Sequence, residues 1–283
     1  MVWIHYQNSV INLDGTILVE SIVHNITEKK LAEELIKKEN KKLMELSKMK
    51  TDLISRVSHE LKTPLNSIYG GSQILLNLHK DSMCSEALEF IEMINKGGRR
   101  LKSLIENLLD ISRIESNKLS LNLQKENLIE IMKECIDDIK YMLSGRQLNL
   151  ELNFKNTIYI EVDKLRIEQV ITNLVSNAIK NTPSYGTISL NLKEANDSIY
   201  IEVKDTGVGL TEEDMDKLFK KFGKIERYGQ KLEIDTEGSG LGLFISKQII
   251  DLHGGAIWVE SEGRNKGSKF IIRLYKKPDF IFV

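Results

Sequence analysis

Cysteine and proline are scarce in this chain, and long apolar runs and charge imbalance are missing. The two cysteines among 283 residues, Cys84 and Cys135, lie in separate segments without a CxxC spacing. Neither a disulfide framework nor a zinc site is expected, and a reducing cytosol is the natural setting. No stretch of about 18 apolar residues occurs, and the N-terminus lacks the plan of a signal peptide. The chain as given is therefore expected to be soluble and cytoplasmic, with no membrane segment. Lys and Arg number 40 against 41 acids, a net charge of −1. That leaves no electrostatic case for nucleic acid or an anionic membrane as the main partner. Three prolines leave room for long helices, and 41 % apolar residues suffice for a sizeable core. The length suits about two domains.

Residues 1–26 alternate as two short strands, 2–10 and 17–24, flanking Asn12-Leu13-Asp14-Gly15, and Asp-Gly is a hairpin signal. Two strands bury too little to stand alone. From Thr27, a candidate cap with Glu28 in the first turn, the pattern turns helical. Leu31, Leu35, Leu43, Leu46, Met49, Leu53, Val57, Leu61, Leu65 and Ile68 form a stripe at steps of three, four or eight. A second stripe runs from Ala87 through Leu101, Leu104 and Leu108 to Ile114, after a polar connection around 79–85. One hairpin of two such helices exposes half its apolar surface. Two hairpins about a two-fold axis would cover it, as a homodimeric four-helix bundle.

After about Ser120 the texture changes. Helices are expected at 127–143 (stopped by Gly145), 163–181, 212–222 and 241–253, with an irregular loop over 223–240. Strands are expected at 148–154, 157–162, 187–192, 198–204, 256–261 and 268–275. Helices with mostly antiparallel strands predict an α/β sandwich, making the whole chain α+β.

The chemistry gathers in five places. Ser58-His59-Glu60-Leu61-Lys62-Thr63-Pro64-Leu65 sets an imidazole one helical turn from a hydroxyl, beside a proline that removes a backbone hydrogen bond. Asn173, Asn177 and Lys180 line one helix face, where amide oxygens suit a Mg²⁺ that keeps most of its water and lysine suits phosphate. Asp205-Thr206-Gly207-Val208-Gly209 ends a strand with a carboxylate able to accept from an exocyclic amine such as adenine's. Its glycines allow backbone to approach a ring. Gly238-Ser239-Gly240-Leu241-Gly242 feeds a helix N-terminus, an anion site that fits neither a Rossmann nor a Walker spacing. Phe219 and Phe222, with Lys224 following, stand three apart on a helix, a spacing more often core than cofactor contact. Taken singly each cluster has an ordinary reading, such as an Asp-Gly turn or a surface histidine.

In this order the clusters resemble the H, N, G1, F and G2 boxes of the sensor histidine kinases of two-component systems, over roughly residues 45–276. Asp14-Gly15-Thr16 through Asn25-Ile26-Thr27-Glu28 resembles the last strands of a PAS sensor domain, of which only the end is present. The chain is then a fragment of something longer, or the piece is vestigial. The resemblance implies a PAS-like remnant over 1–26, a signalling helix over 27–48 and a dimerisation and phosphotransfer domain over 49–120. An ATP-binding domain of the Bergerat type over 121–277 and a tail over 278–283 follow.

The resemblance further implies His59 as phosphoacceptor and Glu60 as its neighbouring acid, with ATP and Mg²⁺ as cofactors. It places Mg²⁺ at Asn177, with Asn173, Lys180 and Asn181 near the phosphates and Asp205 on the adenine amine. Gly207 and Gly209 would shape the base pocket; Phe222, Lys224, Gly238, Gly240, Leu241 and Gly242 would complete the site and its lid. The family often has Arg where Lys224 stands, so the bidentate fork is lost there. The Glu60-x-x-Thr63 spacing resembles members that also dephosphorylate their partner, a response regulator receiver domain; a hydroxyl bonding back to a carbonyl ahead of Pro64 is the alternative. Two other readings stay open: an ATP-driven clamp like the gyrase and heat-shock ATPases, and a kinase-dead scaffold.

Overall fold

A computed structural model of the chain describes residues 2–13, 16–144, 146–154, 157–223 and 240–276. It divides into two compact units, Met1–His59 and Glu60–Val283.

In the first unit β1 (Ile4–Leu13) and β2 (Thr16–Asn25) pair antiparallel, with Ile4 opposite Asn25 and Leu13 opposite Thr16. The expected Asp14-Gly15 turn lies outside the described residues. Helix α1 (Thr27–His79) follows directly. Its opening turn is capped by Asn25, whose Oδ1 accepts from Thr27 N–H at 3.0 Å, rather than by Thr27 itself. Thr27 Oγ1 accepts instead from Trp3 N–H at 2.9 Å, which ties strand to helix. The apolar stripe of this stretch stands open: Leu31, Leu35, Leu43, Leu46, Met49 and Leu53 are all exposed.

In the second unit α1 runs unbroken through Pro64 and is joined by a 3₁₀ turn (Lys80–Ser82) to α2 (Ser85–Glu115). Pro64 has no N–H, so the carbonyl of Glu60 lacks its usual helical donor. The seam between the helices is apolar at Leu65 and Ile105 and polar in the middle. Buried Asn95 donates to Ser72 Oγ at 3.0 Å and accepts from Arg99 at 3.0 Å. Gly98 lets the helices close up, since a Cβ there would lie 3.2 Å from the Tyr69 side chain. Ile68, Ile94, Leu101, Leu104 and Leu108 face away from this seam and remain exposed.

Beyond α2 come β3 (Gln124–Asn127), α3 (Leu128–Ser144), β4 (Asn149–Asn153), β5 (Tyr159–Val162) and α4 (Lys164–Asn181). Then follow β6 (Thr187–Ala195), β7 (Ser198–Asp205), α5 (Glu212–Leu218), α6 (Gly242–Leu252), β8 (Ala256–Glu260) and β9 (Ser268–Tyr275). One sheet runs β4-β6-β7-β9-β8, antiparallel except for the β4–β6 pair. Its register puts Leu190, Val203 and Phe270 in one row and Ile201, Ile272 and Ile257 in the next, all buried. Helices α3, α4 and α6 supply the other half of this core, for example Leu128, Met132, Ile171, Leu174 and Ile249. Each such side chain contributes about 1.5–3 kcal/mol on leaving water. An α/β sandwich follows the helical hairpin, as expected.

Three details differ from expectation. The pair β3–β5 was not foreseen, because Gln-Lys-Glu-Asn has no apolar period. Asp163 is the N-cap of α4, not its first helical residue. Helix α5 stops at Leu218, and Phe222 adopts a left-handed φ of 57°. Gly145 and most of the 223–240 loop (224–239) lie outside the described residues.

Candidate functional site

Helix α4 presents two faces. Ile167, Val170, Ile171, Leu174, Val175, Ala178 and Ile179 are buried in the core. Arg166, Gln169, Asn173, Asn177, Lys180 and Asn181 are half-buried along the other edge. Asn173 Nδ2 donates to Ser246 Oγ on α6 at 2.9 Å, and a Cβ on Gly242 would meet Asn173 Oδ1 at 2.3 Å. Asn173 thus clasps the start of α6 to α4. Asn181 Nδ2 donates to the Asn177 carbonyl at 2.8 Å, while its own carbonyl accepts from Val208 N–H at 3.1 Å. Arg146 donates to the carbonyls of Ile179 and Lys180 at 2.7 and 3.1 Å, satisfying the C-terminal end of α4 with a cation.

Asp205 continues the inward-facing series Ile199, Ile201, Val203 at the end of β7, and it is 3 % exposed. Three donors orient it: Gly207 N–H to Oδ1 at 2.8 Å, Ser268 N–H to Oδ1 at 3.3 Å and Ser268 Oγ to Oδ2. A carboxylate so held is a fixed acceptor. The glycines beside it serve backbone packing. A Cβ on Gly207 would lie 2.3 Å from the Asn181 carbonyl, and one on Gly209 (φ +63°) 2.0 Å from that of Gly263.

Segments 173–181, 205–209 and 240–246 are therefore brought together. Gly240 takes a φ of +69°, Leu241 is buried, and Gly242 opens α6. The expected phenylalanine pair is split. Phe219 packs edge-on to Phe270 with ring centroids 6.5 Å apart, whereas Phe222 is 67 % exposed. Lys224 and Gly238 lie outside the described residues. His59, Glu60 and Thr63 stand exposed on α1.

At the far end of α4, Asp163 N–H donates to His253 Nε2 at 3.1 Å, and His253 Nδ1 lies 2.8 Å from the Ile249 carbonyl. These partners require Nε2 to accept and Nδ1 to carry the proton. Burial pushes this imidazole below the usual histidine range, partly offset by the Ile249 carbonyl and by Asp163. Sequence reading missed this buttress and Ser268, both set by contacts remote in the chain.

Among the described residues no group of three or more His, Cys, Asp or Glu could hold a metal. The donor set at α4 is amides and a lysine. It fits a hard cation that arrives with phosphates and water supplying most of its ligands, to which Asn177 could give an amide oxygen.

Comparisons with known proteins agree with this layout. Residues 49–117 match the His Kinase A (phospho-acceptor) domain family, and 162–278 match the histidine kinase-, DNA gyrase B- and HSP90-like ATPase family. The sensor histidine kinase GacS of Pseudomonas protegens is 35 % identical over 83 % of this chain and 25 % of its own length. The non-motile and phage-resistance protein of Caulobacter vibrioides is 32 % identical over 83 % of this chain and 28 % of its own. The chain thus spans about a quarter of the length of these curated relatives. The crystal structure of full-length ShkA in complex with AMPPNP has the same fold (TM-score 0.62, 22 % identity), over 80 % of this chain and 46 % of that one. No helix among the described residues is long and apolar enough to cross a membrane.

Proposed function

We propose that the chain is a sensor histidine kinase, since it joins a phospho-acceptor domain to a histidine kinase-type ATPase domain, and that it phosphorylates itself on His59 from ATP. The phosphoryl group then passes to an aspartate of a response regulator receiver domain. The observation that supports this most is the junction of α4 with the β7 end and the α6 start, where Asn181 meets Val208 and Asn173 meets Gly242. That junction gathers a fixed carboxylate, amide oxygens, a lysine and a helix N-terminus, the parts a magnesium nucleotide needs.

Asp205 accepts from the adenine amine. Lys180 and the N-terminus of α6 take the phosphate charge, with Gly240, Leu241 and Gly242 flanking the triphosphate. The resemblance carries Phe222, Lys224 and Gly238 into the nucleotide-binding set. Asn177 would hold Mg²⁺, which would supply neutralisation of the phosphate charge. Glu60 fixes the His59 tautomer through Nδ1–H and leaves Nε2 to attack. The Nε2–P bond forms as the bond to the β–γ bridging oxygen breaks and ADP departs; the work is mostly placement and charge. Thr63 orients a water against a partner's phosphoaspartate.

The exposed stripes of α1 and α2 support a homodimer through a four-helix bundle. The leading hairpin is the end of a PAS-like sensor, feeding α1 as a signalling helix, and such a kinase works in the cytoplasm, where ATP is. The domain limits proposed are those of the sequence reading: 1–26, 27–48, 49–120, 121–277 and 278–283. Incubation with γ-labelled ATP and Mg²⁺ tests the reading. An acid-labile, base-stable label lost in His59→Gln is expected, and a label that persists in that variant contradicts it.

A further inference from the structure

The end of α4 is an unfavourable place for phosphates. Carbonyl oxygens collect at the C-terminal end of a helix and give it about half a negative charge. The last turn of α4 is nonetheless the one that carries Asn177, Lys180 and Asn181. Pro183 keeps Thr182 extended (φ −100°, ψ 124°), so the helix stops without a glycine cap and its carbonyls need donors from elsewhere. The Asn177 carbonyl accepts from Asn181 Nδ2 at 2.8 Å, that of Ala178 from Thr182 Oγ1 at 2.6 Å, and that of Asn181 from Val208 N–H at 3.1 Å. Those three donors are neutral. The carbonyls between them, of Ile179 and Lys180, both accept from one guanidinium nitrogen of Arg146, at 2.7 and 3.1 Å. Backbone sets Arg146 there. The Gln147 carbonyl accepts from Tyr185 N–H at 3.2 Å, and Asn149 N–H donates to the Gly186 carbonyl at 2.9 Å, which stitches segment 146–149 to the loop after α4.

We propose that Arg146 is a positioning residue for the nucleotide: its guanidinium offsets the negative pole of α4 and so lets a triphosphate settle beside Asn177 and Lys180. The inference rests on the nucleotide site of the kinase reading and adds a determinant that acts through helix carbonyls. A cation bonded to the carbonyls of a last turn acts within that turn, where the helix dipole is felt. Its benefit to a ligand grows with the ligand's negative charge. The same two bonds pin the main chain at Lys180, so that ammonium group extends from a fixed root. A residue that merely held up the fold would serve charged and uncharged ligands alike.

Titration calorimetry of the full chain with Mg²⁺ and a non-hydrolysable ATP analogue, ADP or adenosine tests this. Arg146→Met removes the cation and keeps an unbranched side chain. It is expected to weaken the analogue roughly fivefold and ADP roughly twofold, and to leave adenosine unchanged. Arg146→Lys keeps the charge and is expected to stay within about twofold of the parent for all three ligands. In phosphohistidine formation, Arg146→Met is expected to raise the KM for ATP roughly fivefold with the rate at saturating ATP unchanged. Parent affinity for the analogue in Arg146→Met overturns the inference, and so do equal losses for analogue and adenosine. If the parent chain binds the three ligands but forms no phosphohistidine, the kinase reading fails separately and calorimetry still judges Arg146. If it binds none of them, both fall.

Discussion

Ser268 sits directly opposite Asp205 in the β7–β9 ladder and gives it two donors, its main-chain N–H to Oδ1 at 3.3 Å and its hydroxyl to Oδ2. The proposed reader of the adenine amine is thus aimed by a residue 63 positions away. Removing the hydroxyl loosens the aim without removing the charge. Ser268→Ala is expected to weaken ATP binding by roughly tenfold, or about 1.4 kcal/mol. Asp205→Ala is expected to abolish binding in the same fluorescence titration. Parent affinity in Ser268→Ala would show that the hydroxyl does not orient the carboxylate.

Glycine substitutions should have opposite signs at two positions. Gly209 has a φ of +63°, and a Cβ there would collide with the Gly263 carbonyl at 2.0 Å. Gly209→Ala is expected to cost upwards of about 1–2 kcal/mol from the left-handed backbone alone. Gly70 lies inside α1 with nothing within 4 Å of a built Cβ. There alanine is expected to stabilise by about 0.8–1 kcal/mol through helix propensity. Urea unfolding of the two variants checks both signs.

His253 makes folding pH-dependent. Its folded pKa is depressed, chiefly by burial, so in mildly acid solution the unfolded chain binds more protons than the folded one. Stability from this site is whole above the unfolded value of about 6.5. It is lost as pH falls through the folded pKa, because the charged ring would turn a second N–H toward the Asp163 N–H. His253→Gln, which can accept from Asp163 and does not titrate, is expected to flatten this slope in urea midpoints measured from pH 7.5 to 5. An unchanged slope would assign it elsewhere.

Leu101 and Leu104 stand exposed on α2 at 44 % and 37 %. If that stripe is a dimer seam, Leu101→Glu with Leu104→Glu buries like charges there. The parent is expected to sediment at the dimer mass and the double variant at half of it. Equal masses would remove the bundle.

What could be read in the residues follows their periods. Stripes at three and four steps gave away both long helices, and Asp205-Thr206-Gly207 marked the end of a strand. The spacing of Asn173, Asn177 and Lys180 located the half-buried edge of α4. Partners set by tertiary register were not legible. Ser268 and Arg166 are ordinary polar residues until β9 and α2 arrive beside Asp205 and Asp110. Phe222 followed Phe219 at a helical step, yet the chain leaves the helix at Leu218 and only Phe219 turns inward. Gly207 and Gly209 were picked out for approach to a ligand, whereas their tight contacts are with carbonyls of Asn181 and Gly263. Any steric pattern that demands glycine looks alike in sequence.

The central claim is best tested by mapping the phosphorylated residue after reaction with Mg²⁺ and ATP. Peptide mass spectrometry under neutral conditions should find one phosphoryl group, on His59, in the parent chain, and none in Asn177→Ala although that variant remains folded. Phosphate on any other residue, or an Asn177→Ala chain modified as fully as the parent, would contradict the account.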